Sequence, residues 1–335
     1  MFAYCADILR AAGCAVEIKD LGGGCVSLLA RRGNPSVLFN CHLDTVPADP
    51  AWTRDPFELG VNEADATGLG ACDIKGAAAA LLAAVEATSG AIAVLLTSDE
   101  EAGDSACVRD FIEVEHGYEL VIACEPTNGS AVTMHRGIET FELVFSGLAT
   151  HSSQPNAHAD NALHHAVAWS ARAIERMHAD SSDNLRFNIG IINGGVKTNI
   201  AASSATVRFG IRPHAQANVT AILKELMALL DDPSRVELRV CFSAPALDSG
   251  SGVGVYLKRF GLQAGEPVDF WTEAALFAAG GYKAMVLGPG DISQAHAPDE
   301  SVPLADLDRV ATIYAGIIEH GAQRTENQSA QAVHP

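Results

Sequence analysis

The chain has 335 residues, room for two compact domains or one domain with a sizeable insertion, and 48% of them are hydrophobic, enough for a large core. Its 22 Lys+Arg stand against 41 Asp+Glu, a formal net charge of −19 with no basic cluster, which argues against nucleic-acid binding. No apolar run approaches the ~20 residues that cross a bilayer, and the start, MFAYCADILRAAG, carries Asp7 and Arg10 where a secretory signal would be apolar.

In chain order, Gly22-Gly23-Gly24 reads as a turn between strands, since it lacks the GxGxxG spacing. Short apolar runs at 36–41, 91–97 and 119–124, with a later one at 283–287, predict strands. They are continuously apolar rather than alternating, as strands covered on both faces are. Between the first two, CDIKGAAAALLAAVEATSG predicts an Ala/Leu-rich helix with Asp73 as its cap and Gly90 at its end. Strand, helix, strand in this order gives an α/β layer with a mainly parallel sheet. From about residue 137 to 243 the order becomes strand, helix, strand, strand, helix, strand, with helices over 160–178 and 218–230. That is the ferredoxin-like, split βαβ pattern. Along its first helix Leu163, Val167, Ser170, Ile174 and Met177 are predicted to form the buried stripe. The reading is therefore an α/β domain over 1–136 and 245–322 with an α+β domain, 137–244, inserted into it. Residues 323–335 are polar and aperiodic, a flexible tail.

The acids and histidines fall at informative places. His42 and Asp44 follow the first strand, Asp99, Glu100 and Glu101 the second, and Glu125 the third. His296 comes shortly after the fourth strand and its Gly288-Pro289-Gly290 turn. Open α/β sheets bind ligands outside the carboxyl ends of their strands, so these groups and Asp73 are delivered to one edge. Imidazoles with carboxylates suit zinc, cobalt or manganese. His42, Asp73, Glu101, Glu125 and His296 are too many for one catalytic zinc, which usually keeps three protein ligands. They suit two ions sharing one carboxylate, and Glu100 then remains as a candidate general base. The bland alternatives are hydrogen-bonded loop histidines and a solvated acidic turn; the recurrence of acids at neighbouring strand ends argues against both. Cys41, Cys72 and Cys124 each precede a proposed ligand and are read as small hydrophobes facing the packed layers. The eight scattered cysteines, none in a CxxC pair, suit reduced thiols in the cytoplasm. His164 and His165 are read as solvent-facing.

HLDTVP at 42–47, GACDIKG at 70–76, TSDEEAG at 97–103, CEPT at 124–127, THSSQP at 150–155 and the late His296 occur in one order. Together they resemble the metallohydrolase family that contains acetylornithine deacetylase, succinyl-diaminopimelate desuccinylase, aminoacylase and carboxypeptidase G. FWTEA at 270–274 and the run GPGDI to QAH at 288–296 resemble its branch acting on acetylcitrulline. The likeness spans nearly the whole chain. It implies that Asp73 bridges two divalent ions, Zn2+ or Co2+ with Mn2+ as a further candidate. His42 and Glu125 would complete one site, Glu101 and His296 the other. Asp44 would orient His42, and Glu100 would deprotonate the attacking water and later protonate the leaving amine. The inserted domain would be a lid and dimerisation domain, with His151 crossing a homodimer interface to the oxyanion, unless it is an ordinary surface histidine. Asn199, Arg212, Glu273 and Gly288 would contact substrate, with Arg212 clamping the α-carboxylate and Glu273 meeting a δ-ammonium group. The implied reaction is deacetylation of N-acetyl-L-ornithine or N-acetyl-L-citrulline in arginine biosynthesis, in the cytoplasm. The rivals are a succinyl-diaminopimelate desuccinylase or carboxypeptidase-like peptidase, and a silent binding protein of the same fold. Two departures stand out. Relatives carry a further helix and loop before the position of Met1, and Gly68-Leu69-Gly70 replaces their Gly-Arg-Gly, removing a cation.

Overall fold

In the computed structural model, which describes residues 1–101, 105–179 and 185–321, the four apolar runs become strands of one sheet. The expected tail at 323–335 lies outside the described residues. The chain opens with α1 (Phe2–Ala11), β1 (Ala15–Gly22), β2 (Cys25–Arg32) and β3 (Val37–His42), then the short β4 (Gly60–Val61) and β5 (Asp65–Thr67). Next come α2 (Lys75–Ala87), β6 (Ile92–Thr97), α3 (Ala106–Ile112), β7 (Leu120–Ala123) and β8 (Met134–His135). The middle of the chain forms β9 (Ile138–Ser146), α4 (Ala162–Ala179), β10 (Arg186–Gly194), β11 (Ser204–Arg212), α5 (Val219–Ala228) and β12 (Val236–Ala244). It ends with β13 (Leu247–Asp248), α6 (Gly254–Phe260), α7 (Ala274–Ala279), β14 (Lys283–Val286), β15 (Ser301–Pro303) and α8 (Leu304–Gly321). Two units result: one from Met1–Met134, Leu247–Val268 and the chain from Thr272, the other from His135–Ala246 with Asp269–Trp271.

The first unit holds a sheet of order β1-β2-β6-β3-β7-β14. β6, β3, β7 and β14 run parallel, while β2 is antiparallel to both β1 and β6. Gly22, Gly23 and Gly24 turn the β1–β2 hairpin with φ of 83°, 66° and 94°, which glycine adopts without a Cβ clash. All residues of β3, β6 and β7 are buried, as their unbroken apolar pattern predicts. One layer of core joins Phe39, Val94, Leu96 and Ile122 of the sheet to Leu9, Leu81, Tyr314 and Ile317 of α1, α2 and α8. The small residues of α2 permit its close packing: a methyl on Gly76 would lie 2.3 Å from the Ala71 carbonyl oxygen. The register sets His42 opposite Thr97 and Asn40 opposite Ala123, so the carboxyl ends of β3, β6 and β7 lie side by side.

The start of α2 corrects one expectation. Its N-cap is Ile74 and no side chain caps it. Asp73 turns its carboxylate to two imidazoles instead, since charged partners bind a carboxylate more strongly than one free N–H does.

The second unit is an antiparallel sheet of order β10-β11-β9-β12 with α4 and α5 packed on it, the strand–helix arrangement of the ferredoxin-like pattern. Ala205, Val207, Phe209 and Ile211 alternate inward along β11. The predicted stripe on α4 holds at Ser170 and Met177, both 8% exposed, and partly at Leu163, but not at Val167 and Ile174. The buried face is Ala162, Ala166, Trp169, Ala173 and Met177, with Val167 and Ile174 left 52% and 41% exposed. Alanines let the helix approach the sheet, and Trp169 fills the space against Phe145 and Phe209. A stripe drawn through the large apolar residues alone misses that solution. Among the described residues no helix is long and apolar enough to cross a membrane.

Candidate metal centre

The strand ends of the first unit bring their acids and imidazoles together. His42, the last residue of β3, is 2% exposed, and its Nδ1 lies 3.1 Å from the Asp44 carbonyl oxygen. A carbonyl only accepts, so Nδ1 carries the proton and Nε2 is the free nitrogen. That nitrogen lies 3.1 Å from Asp73 Oδ1 and 3.5 Å from Glu125 Oε1. On the other side His296 Nε2 lies 3.3 Å from Asp73 Oδ2 and 2.8 Å from Glu101 Oε1. Two triads follow, His42–Asp73–Glu125 and Asp73–Glu101–His296, each with donor atoms within 4.8 Å of one another. Asp73 belongs to both, one oxygen toward each.

The Asp44 carboxylate ties the two strand ends. Its Oδ2 accepts from the Glu101 N–H at 2.9 Å, its Oδ1 accepts from the Glu100 N–H at 3.4 Å, and Oδ1 also lies 3.4 Å from His42 Nδ1. It thus braces the His42 ring and the turn that carries Glu100 and Glu101.

The electrostatics fit a cation. Burial pushes the Glu125 carboxyl up to about 7, with the Asp73 charge adding to it. Burial also pushes Glu100 well above the carboxylate range, and Glu125, Glu273 and Glu101 add to that against the pull of His42. Burial disfavours the His42 cation, yet Glu125, Asp44 and Asp73 together raise it well above its ordinary value. His296 is raised to about 10 by its contacts with Asp73 and Glu101. Burial first, and the crowding of carboxylates second, raise the proton affinity of Glu100 and Glu125, while the two imidazoles hold Asp73, against its burial, below the usual carboxylate range; a divalent ion would take the place of the bound protons. An all-nitrogen-and-oxygen donor set of this kind suits borderline or hard divalent ions.

Other expected site residues fall elsewhere. Glu273 is not on the crevice surface: it is 1% exposed, with Oε2 accepting from Thr97 Oγ1 at 3.3 Å. Burial raises it to about 7, against the pull of His42. Gly288 is buried as well, its N–H donating to Thr127 Oγ1 at 3.1 Å, and a Cβ there would lie 2.4 Å from the Cys124 carbonyl oxygen. It allows the 288–290 turn to cross the Glu125 backbone rather than offering a donor to substrate. Cys41, Cys72 and Cys124 are buried free thiols, with Cys41 and Cys124 in the core. His164 is exposed as expected, whereas His165 is half-buried and reaches the Ala159 carbonyl oxygen at 2.8 Å.

In the second unit, His151 and Asn199 lie on facing segments. His151 bridges to Ile200, and the Ser152 N–H donates to the Asn199 carbonyl at 3.0 Å. The exposed His151 places Nδ1 2.7 Å from Ser153 Oγ. Arg212 ends β11, partly buried, its carbonyl accepting from Arg136 at 3.3 Å.

One site residue escaped the sequence reading. Glu300, 2% exposed, accepts from the N–H groups of Cys72 and Asp73 on Oε1 and of Gly70 on Oε2, each at 2.8 Å. The sole cue was an acid four residues past His296 and just before the short strand β15.

This fold and donor set define a metal-dependent hydrolase. Residues 38–320 match peptidase family M20/M25/M40, and the chain belongs to that family. It is 44% identical to the N-acetyl-L-citrulline deacetylase of Xanthomonas campestris pv. campestris over 320 residues, 90% of this chain and 87% of that one. With the acetylornithine deacetylase of Myxococcus xanthus it shares 29% identity, covering 95% of this chain and 90% of the relative. Among solved structures, a Staphylococcus aureus tripeptidase aligns with a TM-score of 0.75 at 20% identity, covering 96% and 92% of the two chains. Human carnosine dipeptidase 1 aligns with a TM-score of 0.74 at 17% identity, covering 96% and 91%. Likeness at that level is one of fold.

Proposed function

We propose that this chain hydrolyses N-acetyl-L-citrulline to acetate and citrulline with two divalent ions, Zn2+ or Co2+, with Mn2+ also suited to the donors. The observation that carries the two-ion reading is Asp73, whose oxygens face different imidazoles, Oδ1 toward His42 and Oδ2 toward His296. His42 and Glu125 would hold one ion, Glu101 and His296 the other, and Asp73 both. Two divalent cations also balance the charges of Asp73, Glu100, Glu101 and Glu125. When bound, such ions polarise an amide carbonyl and acidify a water molecule.

The protein's own groups supply the rest. Glu100 belongs to neither triad and is half-buried, and burial raises its proton affinity, the direction a general base needs. It takes a proton from the attacking water and delivers it to the departing amine nitrogen, so the reaction balances as amide plus water to acetate plus amine. Asp44 keeps His42 in the Nδ1–H tautomer throughout. In the second unit, Arg212 pairs with the substrate α-carboxylate, Asn199 assists, and His151 of one protomer serves the oxyanion in its partner.

Two observations favour the citrulline side chain over ornithine. The relative of highest identity quoted above is a citrulline-type deacetylase. The carboxylate best suited to a δ-ammonium, Glu273, is enclosed rather than offered to a ligand, whereas a neutral ureido group needs no such partner. A homodimer through the second unit is supported by the exposed Val167 and Ile174 of α4 and by Ile191 and Ile192 on the edge strand β10. Eight free thiols suit the cytoplasm.

The test is a deacylation panel on purified chain loaded with zinc, cobalt or manganese, coupled to elemental analysis. Two ions per chain and acetate release fastest from N-acetyl-L-citrulline are expected. Failure to release acetate from any N-acetyl amino acid would sink the reading, and preference for succinyl-diaminopimelate or dipeptides would replace it with a rival activity.

A further inference from the structure

We infer that Glu300 couples the two ion sites: it is a positioning residue, not a ligand, that fixes the segment bearing Asp73 against the segment bearing His296. The inference rests on the two-ion reading above.

Glu300 accepts from three N–H groups in the four-residue stretch 70–73, so the backbone just before the shared ligand is held by one carboxylate. Its own carbonyl accepts from the Gly68 N–H at 3.0 Å, adding a fourth tie to that loop. With both oxygens engaged by backbone donors and only 2% exposure, the side chain is turned to the loop and not to an ion. Converging N–H groups of this kind form an anion cradle, and here the anion is covalently part of the chain.

The other end of the coupling lies along the sequence. Glu300 stands four residues after His296, in a segment where His296 and Asp299 have φ of 60° and 55°. Non-glycine residues are uncommon in that left-handed region, and such a backbone persists when its surroundings over-determine it. Several ties do so. Asp299 accepts from the Thr53 N–H and Oγ1 at 3.1 and 2.8 Å, and Asp291 accepts from Asn128 Nδ2 at 2.9 Å. β15 pairs Ser301 with Thr67 immediately beyond. Within this braced segment Glu300 supplies the ties to the backbone N–H groups of the Asp73 loop, while the Asp291 carbonyl meets Cys72 Sγ at 3.3 Å and His296 meets the Asp73 carboxylate itself. His42 and Glu125, by contrast, are placed by β3 and β7 without it.

Loss of Glu300 should therefore weaken the ion held by Asp73, Glu101 and His296 more than the ion held by His42, Asp73 and Glu125. The experiment is chelator competition on the cobalt- or zinc-loaded chain, with metal per chain measured along the series, for wild type, Glu300→Gln and the milder Glu300→Asp. Wild type should lose its ions in two steps. In Glu300→Gln the weaker step should shift by roughly 10- to 100-fold, the range for groups that orient ligands, with the tighter step moving by less than about threefold. Glu300→Asp keeps the charge on a shorter arm, should shift the weaker step by an intermediate amount, and decides the matter if the Gln variant does not fold. Equal weakening of both steps overturns the inference. So does a fall in thermal stability with an unchanged chelator profile, the result of a purely structural role. A wild-type chain that holds a single ion would instead remove the two-ion reading beneath it.

Discussion

The two triads share Asp73 but stand on different foundations. His42 and Glu125 sit at or just past the ends of buried parallel strands, 2% and 6% exposed, where the sheet register places them. His296 sits on a loop with a left-handed backbone, its side chain 50% exposed, and is held by hydrogen bonds from distant segments. The first site is a consequence of the sheet; the second must be assembled loop by loop. Under the two-ion proposal a difference of this kind would hold one ion more firmly than the other, and it can be tested from both sides.

The largest effect should come from a residue that belongs to neither triad. Glu100→Gln keeps the shape and both ligand sets and removes the proton acceptor. A fall in kcat of roughly 10²- to 10⁴-fold is expected, the usual worth of general-base catalysis, with metal content unchanged. If steady-state rates on N-acetyl-L-citrulline hold while the ions stay bound, the base lies elsewhere.

The ligands themselves should then separate. His42→Ala leaves Asp73 and Glu125 buried without their imidazole, and breaking such a buried pair costs about 3–5 kcal/mol in the metal-free chain. His296→Ala removes a half-exposed ring, and contacts at that level of exposure contribute about 1 kcal/mol or less. Denaturant titration of the two metal-free variants reads the gap directly. Equal losses would show that both triads rest on the same kind of support.

The same contrast governs what was legible in the sequence. His42, Glu101 and Glu125 stood out because each follows an unbroken apolar run, and the end of a buried parallel strand is a defined place. His296 lies several residues past its strand, beyond the Gly288-Pro289-Gly290 turn, so the strand-end rule brought it to the same edge less directly, and its pairing with Glu101 came from resemblance to a family. Glu300 carried only its place four residues past His296 as a cue, since the three N–H groups it holds lie 227 to 230 positions earlier and no periodicity links them. Asp73 misled in detail: an acid before an alanine-rich run reads as a helix cap, and only the assembled centre shows that two imidazoles claim it. On α4 the large apolar residues Val167 and Ile174 pointed to the wrong face, because alanines around one tryptophan make the tighter contact. Local pattern reports strands and helices well. It does not report which distant backbone a buried carboxylate will hold.

Glu273 sharpens the electrostatic side of the buried half. Its folded value, about 7, lies above the ordinary carboxylate value. The stability tied to it is therefore fully present below pH ~4.5 and lost as the pH rises toward 7, a change on the order of 3 kcal/mol. Glu100 and Glu125 contribute slopes of the same sign, so the difference between wild type and Glu273→Gln is the useful quantity. Metal-free Glu273→Gln should gain stability relative to wild type as denaturation is measured from pH 5 to pH 8. A constant difference across that range would mean that Glu273 is not enclosed as a carboxyl group.

The smallest effect should be confined to the loop half. Thr53→Val removes the Oγ1 bond to Asp299 and keeps the backbone bond from the Thr53 N–H to the same carboxylate. Thr53 is exposed and is not itself a proposed ligand, and valine nearly matches threonine in shape. One lost neutral-to-charged hydrogen bond at the surface corresponds to roughly a two- to fivefold change in an equilibrium constant. That change should appear in the chelator profile of the weaker ion alone, with kcat unaltered once both sites are saturated. If the tighter ion weakens as well, the His296 loop supports both sites, and the division between a site built by strands and a site built by loops does not hold.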